Sequence, residues 1–542
     1  MIIVDPVTLG DAACTRPSPK WVYDRTGTLV EVPANTLGVT YDPSDLSKAP
    51  YALIEPEARN MLRYSEQFDV TSVWGGVNLG VSVDAAVAPN GTSTADRLIA
   101  AAFNGAHYRD QEVPGPFSDG EEYTYSVFLK ADTLERVRIE MFYAVGSTGG
   151  YRAVFDLRAG VVESQTGLRN ASIERLPNGW YRCWIVGVIE FATLYPTKLL
   201  SRMLLHRSDQ NSSWLGTGDE GLFAWGAQLI RGDRPGSYIP TTNAPVTRAA
   251  DVIGPTAGLI YSNVPMVEPP YSATTTYAEK AAVYDPATKI VYWSMQASNV
   301  GKPLSDPAWW NKRTAINRWA MFDDRNSTVT SNPEEIIAVI SAKAITQGFF
   351  AGALDASEVR ISMTHPTRGV VYSETRSLVL PRSGSSFYGW CFNRLRMRTW
   401  FRTLKLPVFA NALVTITIRK PGGVPKCGMA LLGPVEDGGS TLMGLSTELK
   451  DYSTTTFFAD GSSETIPRGF SKRMSVDVSV ERDRAESLED YFTKRRQKTL
   501  VIFGSTQRGD AMLVGKVSSF RKVIDSYPRS KMALQIEGVL SQ

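Results

Sequence analysis

The stretch Leu176–Gly187, LPNGWYRCWIVG, decides the fold class. It holds the turn residues Pro177, Asn178 and Gly179, then two tryptophans, a tyrosine and a lone cysteine in the alternation of a strand. Its neighbours read the same way. Tyr123, Tyr125, Val127 and Leu129 alternate through EYTYSVFLKA, and Val137, Ile139 and Met141 alternate against Arg138 and Glu140 in VRIEMFY. YRAVFDLRAG ends at a glycine turn. Turn signals recur about every ten to fifteen residues, the pattern of half-buried antiparallel strands in a β-sandwich.

The whole chain supports this. Its 542 residues suggest about three units at roughly 150 residues each. The 12 Trp, 22 Tyr and 21 Phe favour strands, and the 44 Gly and 31 Pro punctuate turns. The expected class is therefore all-β and multidomain, with a central jelly-roll β-sandwich and a C-terminal, mostly β region holding at least one short helix. Four segments are expected: an extended N-terminal arm (1–59), the sandwich (60–253), a Pro- and Gly-rich linker (254–276) and a β-rich region of one or two subdomains (277–542). In the last, Val414, Ile416 and Ile418 alternate in ALVTITIRK, and Val476, Val478 and Val480 in RMSVDVSVER. Asp483 to Glu486 has capping-box spacing, followed by Leu488, Tyr491 and Phe492 at helical spacing and Lys494–Arg496 at the C-terminal end.

Charge and motifs exclude several functions. The 58 basic and 55 acidic residues balance too closely for a nucleic-acid protein. Cys14, Cys183, Cys391 and Cys427 have neither paired nor zinc spacing, so free thiols are expected, with no metal and no cofactor. The early apolar run before Asp5 and Pro6 is too short for a secretory signal, and no stretch approaches a membrane helix. There is no nucleophile elbow, phosphate loop or zinc-protease motif. His107, His206 and His365 read as structural. Asp219-Glu220 and Glu121-Glu122 are neighbours whose side chains diverge on a strand, and Arg231–Asp233 is a chance triplet in an ordinary loop. No catalytic residue is expected.

Two patterns suit binding. Trp74 in TSVWGGVN and Trp214 in NSSWLGTG stand in Gly/Ser-rich settings, and Tyr108 follows a Gly-Ala-His turn. Such rings stack on sugar faces, although a tryptophan in a loop also serves as a packing plug. In FNRLRMRTWFRTLK, Arg394, Arg396 and Arg398 alternate with Leu395 and Met397, and Trp400, Phe401 and Arg402 continue the run. On a strand this is a basic face suited to an anionic glycan, to a neighbouring subunit or to plain solvent.

Six stretches then carry a resemblance: RNMLRYSEQFD, VAPNGTSTADRL, YTYSVFLKA, LPNGWYRCWI, LFAWGAQLIRGDRPGSYIPT and APVTRAAD. In this order they resemble the carbohydrate-binding-module-like domain of tailed-bacteriophage virion proteins. The upstream RPSPKWVYDRTGTLVEVPAN and LIEPEARNML are similar to the usual lead-in to that domain. NRWAMFDD, LKDYSTTTFFADG and the closing strands resemble, more loosely, the C-terminal part of phage tail-associated proteins.

The resemblance implies a jelly roll in which Trp180 and Arg182 point one way and Tyr181 and Cys183 the other. One set fills the core, with Cys183 a small buried hydrophobe. It also implies a tail fibre, tail-tip or receptor-binding protein that adsorbs to host polysaccharide or lipopolysaccharide. Such a protein is assembled in the host cytoplasm and carried on the virion among other tail proteins, as a trimer or higher homo-oligomer. A purely structural spacer and a polysaccharide depolymerase are the alternatives.

Overall fold

A computed structural model describes residues 1–143, 150–189, 198–207, 213–380, 387–392, 396–458, 460–505, 508–509, 511–524 and 528–539. The protein is all-β, and its chain divides into two compact units, Ala13–Gly254 and Met1–Ala12 with Pro255–Gln542.

The first unit is a sandwich of two six-stranded sheets. The first sheet runs Leu79–Ala86, Ala95–Ala100, Gly221–Arg231, Glu122–Ala131, Trp180–Val188, Asn170–Arg175, and the second Val161–Thr166, Gly150–Asp156, Arg136–Tyr143, Lys198–His206, Tyr108–Pro114, Gly75–Val77. Every neighbouring pair in both is antiparallel. The odd-numbered residues of Glu122–Ala131, with Tyr181, Cys183 and Ile185, meet Val137, Ile139, Met141, Met203 and Leu205 in one buried core. The Pro177–Gly179 turn forms, with Asn178 at φ 61° and Gly179 at φ 78°. Cys183 is a fully buried free thiol, pushed well above the ordinary thiol range by that burial.

The outward side of the first sheet carries a second apolar cluster beside the buried polar residues Thr124, Ser126, Arg182 and Gln228. Phe128, Trp180 and Trp225 form this cluster with Tyr238, Tyr23 and Leu29. A bulge at Gly226 makes this possible. Ala224 and Ala227 both face the sandwich core, and the left-handed Gly226 (φ 63°) takes up the extra residue that turns Trp225 outward. A Cβ there would lie 2.9 Å from the Phe128 ring.

Residues 1–59, read as one arm, divide between the units. Residues 13–59 pack onto the sandwich through Trp21, Tyr23 and Leu29. A buried ion network fixes them there. Asp251 accepts from Arg16 at 2.7 Å and from Lys20 at 2.5 Å; Glu55 pairs with Lys20 at 3.0 Å and Arg248 at 3.2 Å. Backbone carbonyls of Ser18, Pro33, Leu53 and Pro56 accept further hydrogen bonds from Arg16, Lys20 and Arg248. Burial pushes Glu55 up, but Lys20, Arg248 and the Ser237 amide outweigh it and hold the carboxyl below its usual range.

The second unit begins with the first strand of the chain. Ile2–Val4 lies inside an eight-stranded sheet, between Val435–Asp437 and Leu500–Phe503. A six-stranded sheet contains Gly258–Ser262, within the stretch read as a linker. The 13-residue helix Arg482–Lys494 buries Leu488 and Phe492 against the eight-stranded sheet. Its capping box does not form: the N-cap is Glu481, without a side-chain cap, so Asp483 already lies inside the first turn. No helix among the described residues is long and apolar enough to cross a membrane.

Candidate functional site

The outward side of the second sheet is built around a row of charged residues. Register aligns Gly75, Asp110, Arg202, Glu140, Arg152 and Thr166 across all six strands. The next row reads Val77, Tyr108, Leu204, Arg138, Val154 and Ser164. Strand alternation puts both rows outward, because Ile139, Met141, Ala153 and Met203 are taken by the core.

Charges of opposite sign therefore stand side by side. Arg202 pairs with Asp110 at 2.8 Å and with Glu140 at 3.6 Å, and Arg138 reaches Glu140 at 2.6 Å. The Arg202 guanidinium also lies 3.8 Å from the centre of the Tyr108 ring and 4.7 Å from that of Phe142. Beside this belt opens a cavity of about 260 Å³, lined chiefly by Arg138, Arg152, Glu163, Ser164, Thr166 and His206. His206 is buried, and its Nδ1 donates to the Arg207 carbonyl at 3.0 Å. Side chains of this kind bond hydroxyls and anions; among the described residues no cluster of three or more His, Cys, Asp or Glu is placed to hold a metal ion.

The aromatic residues expected to hold sugar are placed otherwise. Trp74 is 0% exposed: its indole N–H donates to the Tyr64 carbonyl at 2.9 Å and its ring packs edge-on against Phe68. The glycines beside it mark close approach, since a Cβ on Gly76 would lie 2.4 Å from the Tyr108 carbonyl oxygen. Trp214 is 4% exposed, held by Glu220 at 3.2 Å and packed on His107. Both are packing plugs, and their burial rules out the sugar-stacking role expected of them. Tyr108 does lie on the outward side of the second sheet, but a guanidinium covers its ring.

The basic run behaves differently from one strand. Arg394 lies outside the described residues, as does the side chain of Cys391. Arg396 is exposed on the two-residue strand Arg396–Met397, which ends before Arg398. Arg398 and Arg402 flank the Trp400 ring at 4.9 and 5.8 Å, and Arg402 also lies 4.8 Å from the Phe503 ring, so burial lowers its pKa. The run is broken at Arg398–Trp400, and no continuous basic face results from the described residues. The adjacent acids are separately engaged: Glu121 with Arg231 at 3.0 Å, Glu122 with Arg169, and Glu220 with Arg207 at 2.6 Å. His107 bonds two backbone carbonyls.

A larger cavity, about 820 Å³, opens in the other unit, with Asp323, Asp324, Lys498, Lys516 and Glu537 in its wall. Burial raises the carboxyls of both Asp323 and Asp324. Asp323 is held by Thr328 at 2.7 and 2.8 Å, and Asp324 has left-handed backbone at φ 59°.

The sequence matches no protein-family profile and no curated protein. Among solved structures, the enzymatically active domain of bacteriophage CBA120 tailspike protein 4 aligns at 12% identity and a TM-score of 0.20, over 32% of this chain and 21% of that one. An allantoicase aligns at 9% identity and a TM-score of 0.13, over 69% and 93%. A GH78-family rhamnosidase of Bacillus sp. GL1 aligns at 10% identity and a TM-score of 0.16, over 77% and 36%. The chain spans about a fifth of the tailspike domain's length. Scores this low carry no argument about fold or activity.

Proposed function

We propose that this chain is a tail-associated virion protein of a tailed bacteriophage whose sandwich binds host surface glycans, by contact and without breaking bonds. The single observation behind this reading is the contrast between the two outward sides of the sandwich. One is closed by aromatic packing; the other presents an alternating charged belt and a polar cavity. The resemblance of residues 60–251 to the phage carbohydrate-binding-module-like domain supplies the virion setting. In that setting weak single sites gain from several copies on one particle, as linked sites do at high effective concentration. The partners proposed are other tail proteins, copies of this chain and a host polysaccharide or lipopolysaccharide.

A second reading, depolymerase, has one observation in its favour: two carboxyls kept protonated more readily than usual in the larger cavity. A glycosidase acid needs that property. One experiment addresses both. The full chain is tested for binding to host cells and a glycan array, with release of reducing ends measured in parallel. Binding without release, abolished by Ser164→Trp in a folded protein, is the expected result. Absence of binding to any glycan or host cell leaves the spacer alternative. Release of reducing ends, lost in Asp323→Asn, establishes the depolymerase.

A further inference from the structure

The charged belt on the second sheet is incomplete. Reading across the strands, negative and positive side chains alternate from Asp110 to Arg202, Glu140 and Arg152, and the next position is Thr166. Arg202 has two carboxylates and Arg138 shares one of them. Arg136 also has two, Asp156 at 3.0 Å and Glu163 at 2.8 Å. Arg152 is exposed and has no carboxylate partner among the described residues. It lines the same 260 Å³ cavity as Arg138, with the hydroxyl-bearing Ser164 and Thr166 directly across the strand pair.

We infer that the cavity takes an acidic saccharide, and that the carboxylate of a uronic-acid-type sugar occupies the missing place in the alternation, against Arg152. This rests on the glycan-binding reading and narrows it. A guanidinium presents a planar fork that fits a carboxylate through two parallel bonds. Arg138, which has only a shared counter-charge, adds a second cation to the same space. Ser164 and Thr166 supply hydroxyls for the ring oxygens and hydroxyls of the sugar. Glu163 also lines the cavity, but it shares Arg136 with Asp156, so its charge is partly offset there. The role of anion contact, expected on the run from Arg394 to Arg402, thus moves to the sandwich.

The test uses the full chain and three probes: trigalacturonate, its fully methyl-esterified form, and inorganic phosphate as competitor. Trigalacturonate is expected to bind at least about tenfold more tightly than the ester, the usual size of one charge-assisted contact, and to weaken as salt rises. Arg152→Gln should remove that preference. Thr166→Glu should remove it too, because the new carboxylate completes the alternation internally and pairs with Arg152. Phosphate that competes at millimolar concentration and is lost in both variants places the anion at Arg152. Equal binding of acid and ester overturns the inference and leaves the glycan reading standing. Acid preference unchanged in both variants moves the anion site away from Arg152 and also overturns it. No binding to either probe, with neutral glycans bound on the array, does the same; no binding to anything removes the glycan reading as well.

Discussion

The two sheets of the sandwich share one core but present opposite outward sides. On the first sheet the outward residues Phe128, Trp180 and Trp225 are large and apolar, and residues 13–59 lie over them. On the second the equivalent places hold Tyr108, Asp110, Arg138, Glu140, Arg152 and Arg202, with Leu204 and Val154 between them. The difference follows from what each side must do. An apolar sheet face in water needs a cover, and the chain supplies one from its own N-terminal region. A face tiled with ion pairs needs none and stays available. An aromatic residue on the first sheet therefore reports packing, whereas a charged one on the second belongs to the proposed contact surface.

This contrast breaks most violently at the clamp that holds the cover. Asp251→Ala strands Arg16 in the interior without a counter-charge and leaves Lys20 with Glu55 alone. A loss of about 3–5 kcal/mol is expected in chemical unfolding of the 13–254 unit, or failure to fold. Trp214→Ala tests the packing role of this buried indole. A plug deletion should cost about 3 kcal/mol in the same measurement, and any glycan affinity that remains folded should be unchanged.

Two carboxyls give the unit opposite pH dependences. Glu55 is depressed in the folded state, so its contribution is complete above the ordinary carboxylate range and is lost as pH falls through the folded value. Glu55→Gln should flatten that acid limb in thermal unfolding. Burial pushes Asp96 up to about 6. Its protonated form stabilises the fold at low pH, and that contribution is lost as pH rises from about 4 to 6. Asp96→Asn should remove this second slope. The smallest effect is reserved for the charged side: Arg152→Gln should change stability by less than about 0.5 kcal/mol, because an exposed arginine without a carboxylate partner among the described residues holds little in place. A large loss there would mean that the second sheet's outward side is structural after all.

Much of this was legible from local pattern. Tyr123, Tyr125, Val127 and Leu129 face the core as their alternation predicts, and Arg138 and Glu140 fall opposite Val137, Ile139 and Met141. Cys183 is the buried hydrophobe the resemblance implies. What stayed hidden depends on distant partners. Trp74 is buried because Tyr64 and Phe68 meet it, and glycine-rich surroundings read equally as exposure or as close approach. The continuous arginine alternation from 394 to 402 gave no sign that its strand breaks before Trp400. The first strand, Ile2–Val4, pairs with residues more than 400 positions away, which no local period records. For the candidate site, the available signal was the outward alternation in YRAVFDLRAG and in KLLSRMLLH, where Arg152 and Arg202 interrupt apolar runs; only strand order aligns them with Asp110 and Glu140.

The central claim is that the second sheet's outward side is the contact surface of this protein. Hydroxyl-radical footprinting of the full chain, with and without a bound host polysaccharide, measures it directly. The account predicts protection of Tyr108 and Phe142, with Trp21 and Tyr23 unchanged. Protection confined to Phe322 and its neighbours in the other unit, with Tyr108 and Phe142 unaltered, would contradict it.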